Sequence, residues 1–98
     1  MASYRISQKA ISDLDEIWDY TFNVWSEEQA DRYYTQLYEA IIALASMPDY
    51  LGRKFESIKP GLWGYGVGRH IFFYHKEADG LVWVDRILHE KMDYTRHL

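Results

Sequence analysis

Apolar residues at Ile11, Leu14, Trp18, Phe22 and Trp25 return every three or four places, the period of a helix with one buried side. Ser7 stands just ahead of that run and can cap it, and Tyr4-Arg5-Ile6 before it reads as a short strand. A second helical run follows through Ala30, Tyr33, Leu37, Ile41 and Leu44. It opens on Ser26-Glu27-Glu28-Gln29, where the serine can accept the Gln29 backbone N–H while the glutamine side chain reaches back. Glu27 and Glu28 also suit the positive end of a helix. Pro48 predicts the stop, because it disfavours helical geometry at Met47. The corner from Asn23 to Ser26 is short enough to predict an antiparallel helix hairpin.

Beyond this point the period changes. Residues 49–62, with Gly52, Pro60 and Gly61, read as a loop. Trp63 to Val67 predicts a strand interrupted by glycines, and Arg69 to Lys76 a second one. In the latter Ile71 and Phe73 fall on one side, His70, Phe72 and Tyr74 on the other. Ala78-Asp79-Gly80 supplies a turn that tolerates positive φ, and Leu81 to Leu88 returns as the partner strand. The predicted order is βααβββ. This is an α+β fold, an antiparallel sheet with the N-terminal helix hairpin packed on one face and a short C-terminal tail. Residues 1–98 suffice for a single domain and leave no room for a second core.

Composition narrows the function classes. Four Trp, nine Tyr and four Phe are many for this length, and surplus aromatics tend to surface at interfaces. The absence of cysteine excludes disulfides, thiolate chemistry and Cys-based zinc sites. No apolar run approaches the roughly 18 residues of a membrane span, and the start M-A-S-Y-R-I-S lacks an apolar signal region. The expectation is a cytoplasmic protein that does not engage a membrane. The net charge of −4 is uneven: −6 over residues 1–50 and +2 over residues 51–98. An acidic chain is a poor general nucleic-acid binder, so no direct sequence-specific binding by this chain alone is expected.

Each candidate for chemistry has a plainer reading. Gly64-x-Gly66-x-Gly68 is not followed by the helix that a phosphate cradle needs. It reads as a thin strand that lets a bulky group approach. His89-Glu90 opens like a zinc-protease helix, but Asp93 stands where the second histidine belongs. His70 and His75 fall on opposite strand faces, so no metal site is predicted. Asp13, Glu16 and Asp19 form an acidic stripe that reads as a solvated helix face; a surface for a basic partner is the sharper alternative. Arg86, by strict alternation, shares a face with Val82, Val84 and Leu88 and therefore needs a partner, Asp85 or an acid of the tail. Capture of a carboxylate or phosphate from another molecule is the alternative. No catalytic constellation and no cofactor site emerge.

Three segments carry a family resemblance: D-L-D-E-I-W-D-Y at Asp13 to Tyr20, V-G-R-H-I-F-F-Y at Val67 to Tyr74, and R-I-L-H-E-K-M-D at Arg86 to Asp93. Together they resemble the ParE branch of the RelE/ParE superfamily, toxins of bacterial type II toxin–antitoxin systems, over the whole chain. The resemblance implies a strand, a helix hairpin and a meander. It also implies inhibition of DNA gyrase by protein–protein contact, neutralisation by a ParD-like antitoxin, and no enzymatic activity. The other branch cleaves ribosome-bound mRNA with clustered Arg, Lys and Tyr or His. Its L-W-R-I-R-V-G-D-Y-R-type motif matches Leu62 to Tyr74, where Gly64, Gly66 and Ile71 replace the three arginines. Cleavage needs positive donors for the developing charge, so ribonuclease activity is not expected. A ribosome-dependent endoribonuclease and a non-toxic antitoxin-binding module remain the alternatives. In ParE toxins the C-terminal region contributes to toxicity, which makes Lys91, Tyr94, Arg96 and His97 the expected gyrase contacts, with Met92 and Leu98 pinning the tail. Truncation from Tyr94 is expected to leave the fold intact. An aromatic-rich groove with Tyr34, Tyr38, Arg69 and Arg86 is the expected antitoxin surface.

Overall fold

The computed structural model describes residues 4–46 and 52–98. Strand β1 (Tyr4–Ile6) leads into α1 (Gln8–Val24), and α2 (Glu27–Leu44) follows. Both helices begin as their sequences predict. The Ser7 hydroxyl accepts the Ala10 N–H at 3.0 Å and donates to the Asp85 carbonyl at 2.7 Å, so one side chain caps α1 and ties it to the sheet. The Ser26 hydroxyl accepts the Gln29 N–H at 3.1 Å. The predicted stop at Pro48 lies outside the described residues.

Four further strands are β2 (Arg53–Lys54), β3 (Trp63–Val67), β4 (His70–Lys76) and β5 (Val82–His89), and a 3-10 turn (Tyr94–Arg96) ends the chain. The sheet order is β1-β5-β4-β3-β2. Two details correct the expected sheet. β1 runs parallel to β5, so the sheet is mixed. Part of the predicted loop is the edge strand β2, antiparallel to β3.

The helices cover one face. Leu14, Leu37, Ile41 and Leu44 pack there against Phe72, Tyr74, Val82, Val84 and Ile87. The buried side of α1 is Ala10, Asp13, Leu14 and Thr21, rotated from the expected stripe. Ile11, Phe22 and Trp25 are exposed, the last 73% so. Contrary to the single core expected from the length, a second, smaller one fills the opposite face: Leu62, Phe73 and Leu88, with Phe55, Ile58, Ile71, Tyr94 and Leu98 against them. The tail is therefore part of the packing. Tyr94 and Leu98 anchor it, whereas Met92, an expected anchor, is 44% exposed.

One irregularity moves Arg86. Phe73 pairs with Arg86 and Tyr74 with Val84, which leaves Asp85 as an extra residue in β5. The alternation flips there. Val82 and Val84 face the helices, while Leu88 joins the second core. Arg86 thus does not share the face of Val82 and Val84, contrary to strict alternation.

Candidate functional site

The outer side of the helix hairpin is a band of aromatic rings. Trp18 and Phe22 stack on α1 with centroids 5.2 Å apart, and Tyr34 and Tyr38 stack on α2 at 6.4 Å. The Trp18 indole N–H donates to Asp31 at 3.0 Å and bridges the helices. Asp15, Trp18, Asp19, Asp31 and Tyr34 line one open notch between them. The Tyr38 hydroxyl lies 3.4 Å from that of Tyr4, so the band continues towards the β1 edge. Tyr34 touches the core with one side, and the other rings stay outside it because the core-facing arc of each helix is filled by smaller residues, Ala10 and Leu14 on α1, Ala30 and Leu37 on α2.

The acidic stripe of α1 divides. Asp13 is buried, and both its oxygens take the Arg86 guanidinium, Nε to Oδ2 and Nη2 to Oδ1, each at 2.9 Å. The fork geometry makes this a strong charge-assisted pair. β1 pairs only as far as Val84 of β5, and beyond it Asp13 Oδ2 accepts the Ile87 N–H at 2.9 Å. Arg86 Nη1 donates to the His97 carbonyl at 2.9 Å, so one side chain joins helix, sheet and tail. Donation to the Asp13 carboxylate holds the Arg86 pKa above its ordinary value. The expected ion pair exists, but its acid comes from α1, not from Asp85 or the tail. Asp85 holds His75 at 2.8 Å.

A second polar cluster closes the β3–β4 turn. Gly68 adopts φ +59°, and the Tyr33 ring packs where a β-carbon would stand. The Tyr33 oxygen accepts the Arg69 N–H at 3.1 Å and lies 2.7 Å from His70 Nδ1. The Tyr33 hydroxyl and the imidazole thus share one hydrogen bond beside the turn. Burial, and next the nearby His89, push His70 down to a pKa of about 4. Burial likewise raises Tyr33. Gly64 accommodates the Phe55 ring, while open space surrounds Gly66.

The residues expected to contact an antitoxin do not converge. Tyr34 and Tyr38 form a pair, Arg69 belongs to the turn held by Tyr33, and Arg86 is engaged inside the molecule. In the tail, the Tyr94 ring packs on Phe55 and Phe73, and its hydroxyl donates to the Glu90 carbonyl. Asp93 accepts the Thr95 N–H and closes the 3-10 turn. Lys91 and Arg96 remain exposed, and His97 is half-buried. Asp13 is the residue sequence reasoning missed. Its signal was indirect, an arginine among strand apolars that required an acid. Among the described residues no three His, Cys, Asp or Glu side chains gather as a metal site would require, and no helix is long and apolar enough to cross a membrane.

Residues 4–94 match the model of the ParE toxin of the type II toxin–antitoxin system parDE. The chain belongs to the ParE toxin family. Toxin ParE1 of Mycobacterium tuberculosis is 38% identical over 95 residues, 97% of this chain and 96% of that protein. Toxin ParE1 of Caulobacter vibrioides is 35% identical over 98 residues, covering 100% and 99% of the two chains. A chain of the chromosomal ParDE system from P. aeruginosa superposes with a TM-score of 0.80 at 22% identity, over 91% of this chain and 96% of that one. A chain of the RelBE2 toxin–antitoxin complex from Mycobacterium tuberculosis gives 0.70 at 17% identity, over 90% and 96%. The last two likenesses concern the fold alone. As a ParE-family chain, this protein is the toxin component of a type II toxin–antitoxin system.

Proposed function

We propose that this ParE-family toxin poisons DNA gyrase by protein–protein contact, without catalysis of its own, and that a ParD-like antitoxin neutralises it in the cytoplasm. The observation that carries the reading is the engagement of Arg86. A phosphodiesterase needs cations free to meet developing negative charge. Here the guanidinium is committed to Asp13 and the His97 carbonyl. His70 supports the same reading, because an imidazole with a pKa of about 4 carries no charge near neutrality. An arginine at position 64 could enter only by displacing Phe55, whose ring would stand 2.4 Å from its β-carbon.

Lys91 and Arg96 are the tail's exposed cations and the groups best placed to meet a target. The Tyr94 ring and the His97 carbonyl hold the segment that carries them. The test combines purified toxin with gyrase and supercoiled plasmid, and separately with programmed ribosomes. Cleaved DNA complexes are expected to accumulate with toxin and to vanish when antitoxin is added, while ribosome-bound mRNA stays intact. Cleavage of that mRNA at substoichiometric toxin, with gyrase unaffected, would reverse the reading.

A further inference from the structure

The aromatic band on the helix hairpin is an apolar face bordered on one sign of charge. Ile11, Trp18 and Phe22 of α1 and Tyr34, Tyr38 and Ile42 of α2 supply the apolar part. Apart from Tyr34 and Trp18, which are half-buried, all of them are exposed. Three carboxylates, Asp15, Asp19 and Asp31, border it, and none forms an ion pair among the described residues. Arg32, a base of α2, is drawn off to Glu28 at 2.7 Å. The field over the groove is therefore negative, in the half of the chain that carries −6.

We propose that this groove takes an amphipathic helix of the antitoxin whose apolar stripe is flanked by lysine or arginine, and that Asp15, Asp19 and Asp31 select the partner by charge. The inference rests on the antitoxin reading above. The apolar stripe would seat against Trp18, Phe22, Tyr34 and Tyr38. A guanidinium or ammonium entering the notch would meet two aromatic ring faces and carboxylates together, which favours a cation over any neutral side chain. An antitoxin segment with acids at those places would bring like charges together and be rejected. Most of the affinity would come from the rings, and most of the discrimination from the acids.

The test uses the full-length toxin and the purified product of the small reading frame beside its gene. The dissociation constant is measured at about 50 mM and about 500 mM salt, a range over which exposed charges pass from felt to screened. For the wild type, affinity is expected to fall several-fold as salt rises. The triple variant D15N/D19N/D31N should bind about tenfold more weakly at low salt and lose that salt dependence, at a few-fold per rim charge. D79N, on the β4–β5 turn and outside the lining of the notch, makes the same kind of charge change and should bind as the wild type does. Thermal unfolding of each variant checks that the fold persists. A labelled amphipathic peptide of leucine and lysine should also bind the wild type, whereas its leucine–glutamate counterpart should not. If the antitoxin binds tightly but neither salt nor the triple variant alters its affinity, the charge-selection proposal is overturned and the antitoxin reading stands. If the antitoxin does not bind wild-type toxin at all, the antitoxin reading itself fails.

Discussion

The face of the sheet under the helices and the face under the tail bury similar residue types by different means. On the first, two long amphipathic helices lay Leu14, Leu37, Ile41 and Leu44 over Phe72, Val82 and Val84. Periodicity announces such a layer, because each helix repeats its apolar residue every turn. On the second, Phe73 and Leu88 are covered by single residues from separate segments: Phe55 and Ile58 from the connection after β2, then Tyr94 and Leu98 from the tail. No repeat exists there to be read. The helix layer buries its residues fully, whereas the tail layer rests on a few half-buried ones. The face that carries the tail is thus both the less fully covered and the one joined to the proposed target contact.

The two faces are tied together at Asp13 and Arg86. Replacing Asp13 by Ala strands the Arg86 guanidinium and leaves the Ile87 N–H without its acceptor. A loss of about 3–5 kcal/mol in denaturant-induced unfolding is expected, the usual consequence of removing one partner of a buried pair. Amide exchange at the tail should rise in parallel, since Arg86 also holds the His97 carbonyl. A tail that exchanges as in the wild type would show that the node does not link the faces.

Within the helix face, Leu37→Ala should cost about 3 kcal/mol, since Leu37 has no exposed surface. Within the tail face, Tyr94→Ala should cost about 1–2 kcal/mol, less than a fully buried aromatic because the residue is only half-buried. If the second loss matched or exceeded the first, the tail would be the dominant core. Tyr94 also decides how the tail can be studied. Truncation before it removes a ring that lies on Phe55 and Phe73, which weighs against the expectation that the fold is spared. Changing Lys91 and Arg96 to Ala is the cleaner probe: gyrase poisoning should fall, with stability and antitoxin affinity unchanged.

The smallest effect concerns pH. His70 has a folded pKa of about 4, below the ordinary 6.5, so the unfolded chain takes up its proton first as pH falls. Stability from this group is full above about 6.5 and is lost as pH drops towards 4. Between pH 7 and pH 5 the loss should be about 1 kcal/mol, allowing for water that reaches the ring. His70→Gln should remove that slope. His75 works in the opposite direction. Its modest burial favours the neutral form, but hydrogen bonds and charge from Asp85 and then Glu77 raise its pKa overall. Its contribution is therefore present below 6.5 and fades as pH rises through the raised value, which makes the His70 variant the informative one.

What was legible in the chain follows the same division. Ser7 and Ser26 cap as their positions suggest, and Gly80 takes the positive φ, +89°, that the Asp-Gly turn requires. Gly64 and Gly68 give way to Phe55 and Tyr33. β2 escaped notice because Arg53 and Lys54 are both exposed and show no alternation. Strict alternation places Arg86 on the wrong face, because one extra residue at Asp85 reverses the parity of the strand. Asp13 was hidden among acids of identical appearance, and only the geometry of α1 against the open edge of β5 distinguishes it from Asp15 and Glu16. Of the proposed contacts, Tyr34, Tyr38, Lys91 and Arg96 lie where a partner can reach them. Arg86 is less available, since Asp13 and the His97 carbonyl engage three of its N–H donors.

The pairing of β1 with β5 has a consequence for how the molecule comes to exist. Tyr4 lies beside Val82, so the first described strand finds its neighbour only after almost the whole chain has been made. Until then Ser7 has no Asp85 carbonyl to bind, and Asp13 waits without Arg86. The helix hairpin can form early from local contacts, but it must carry an unpaired acid and an uncovered apolar side through synthesis. Contacts this distant in sequence are slow to close. The hairpin, with its aromatic band already outward, therefore precedes the complete sheet, and a partner that recognises helices alone could engage the nascent toxin before the tail has found its place.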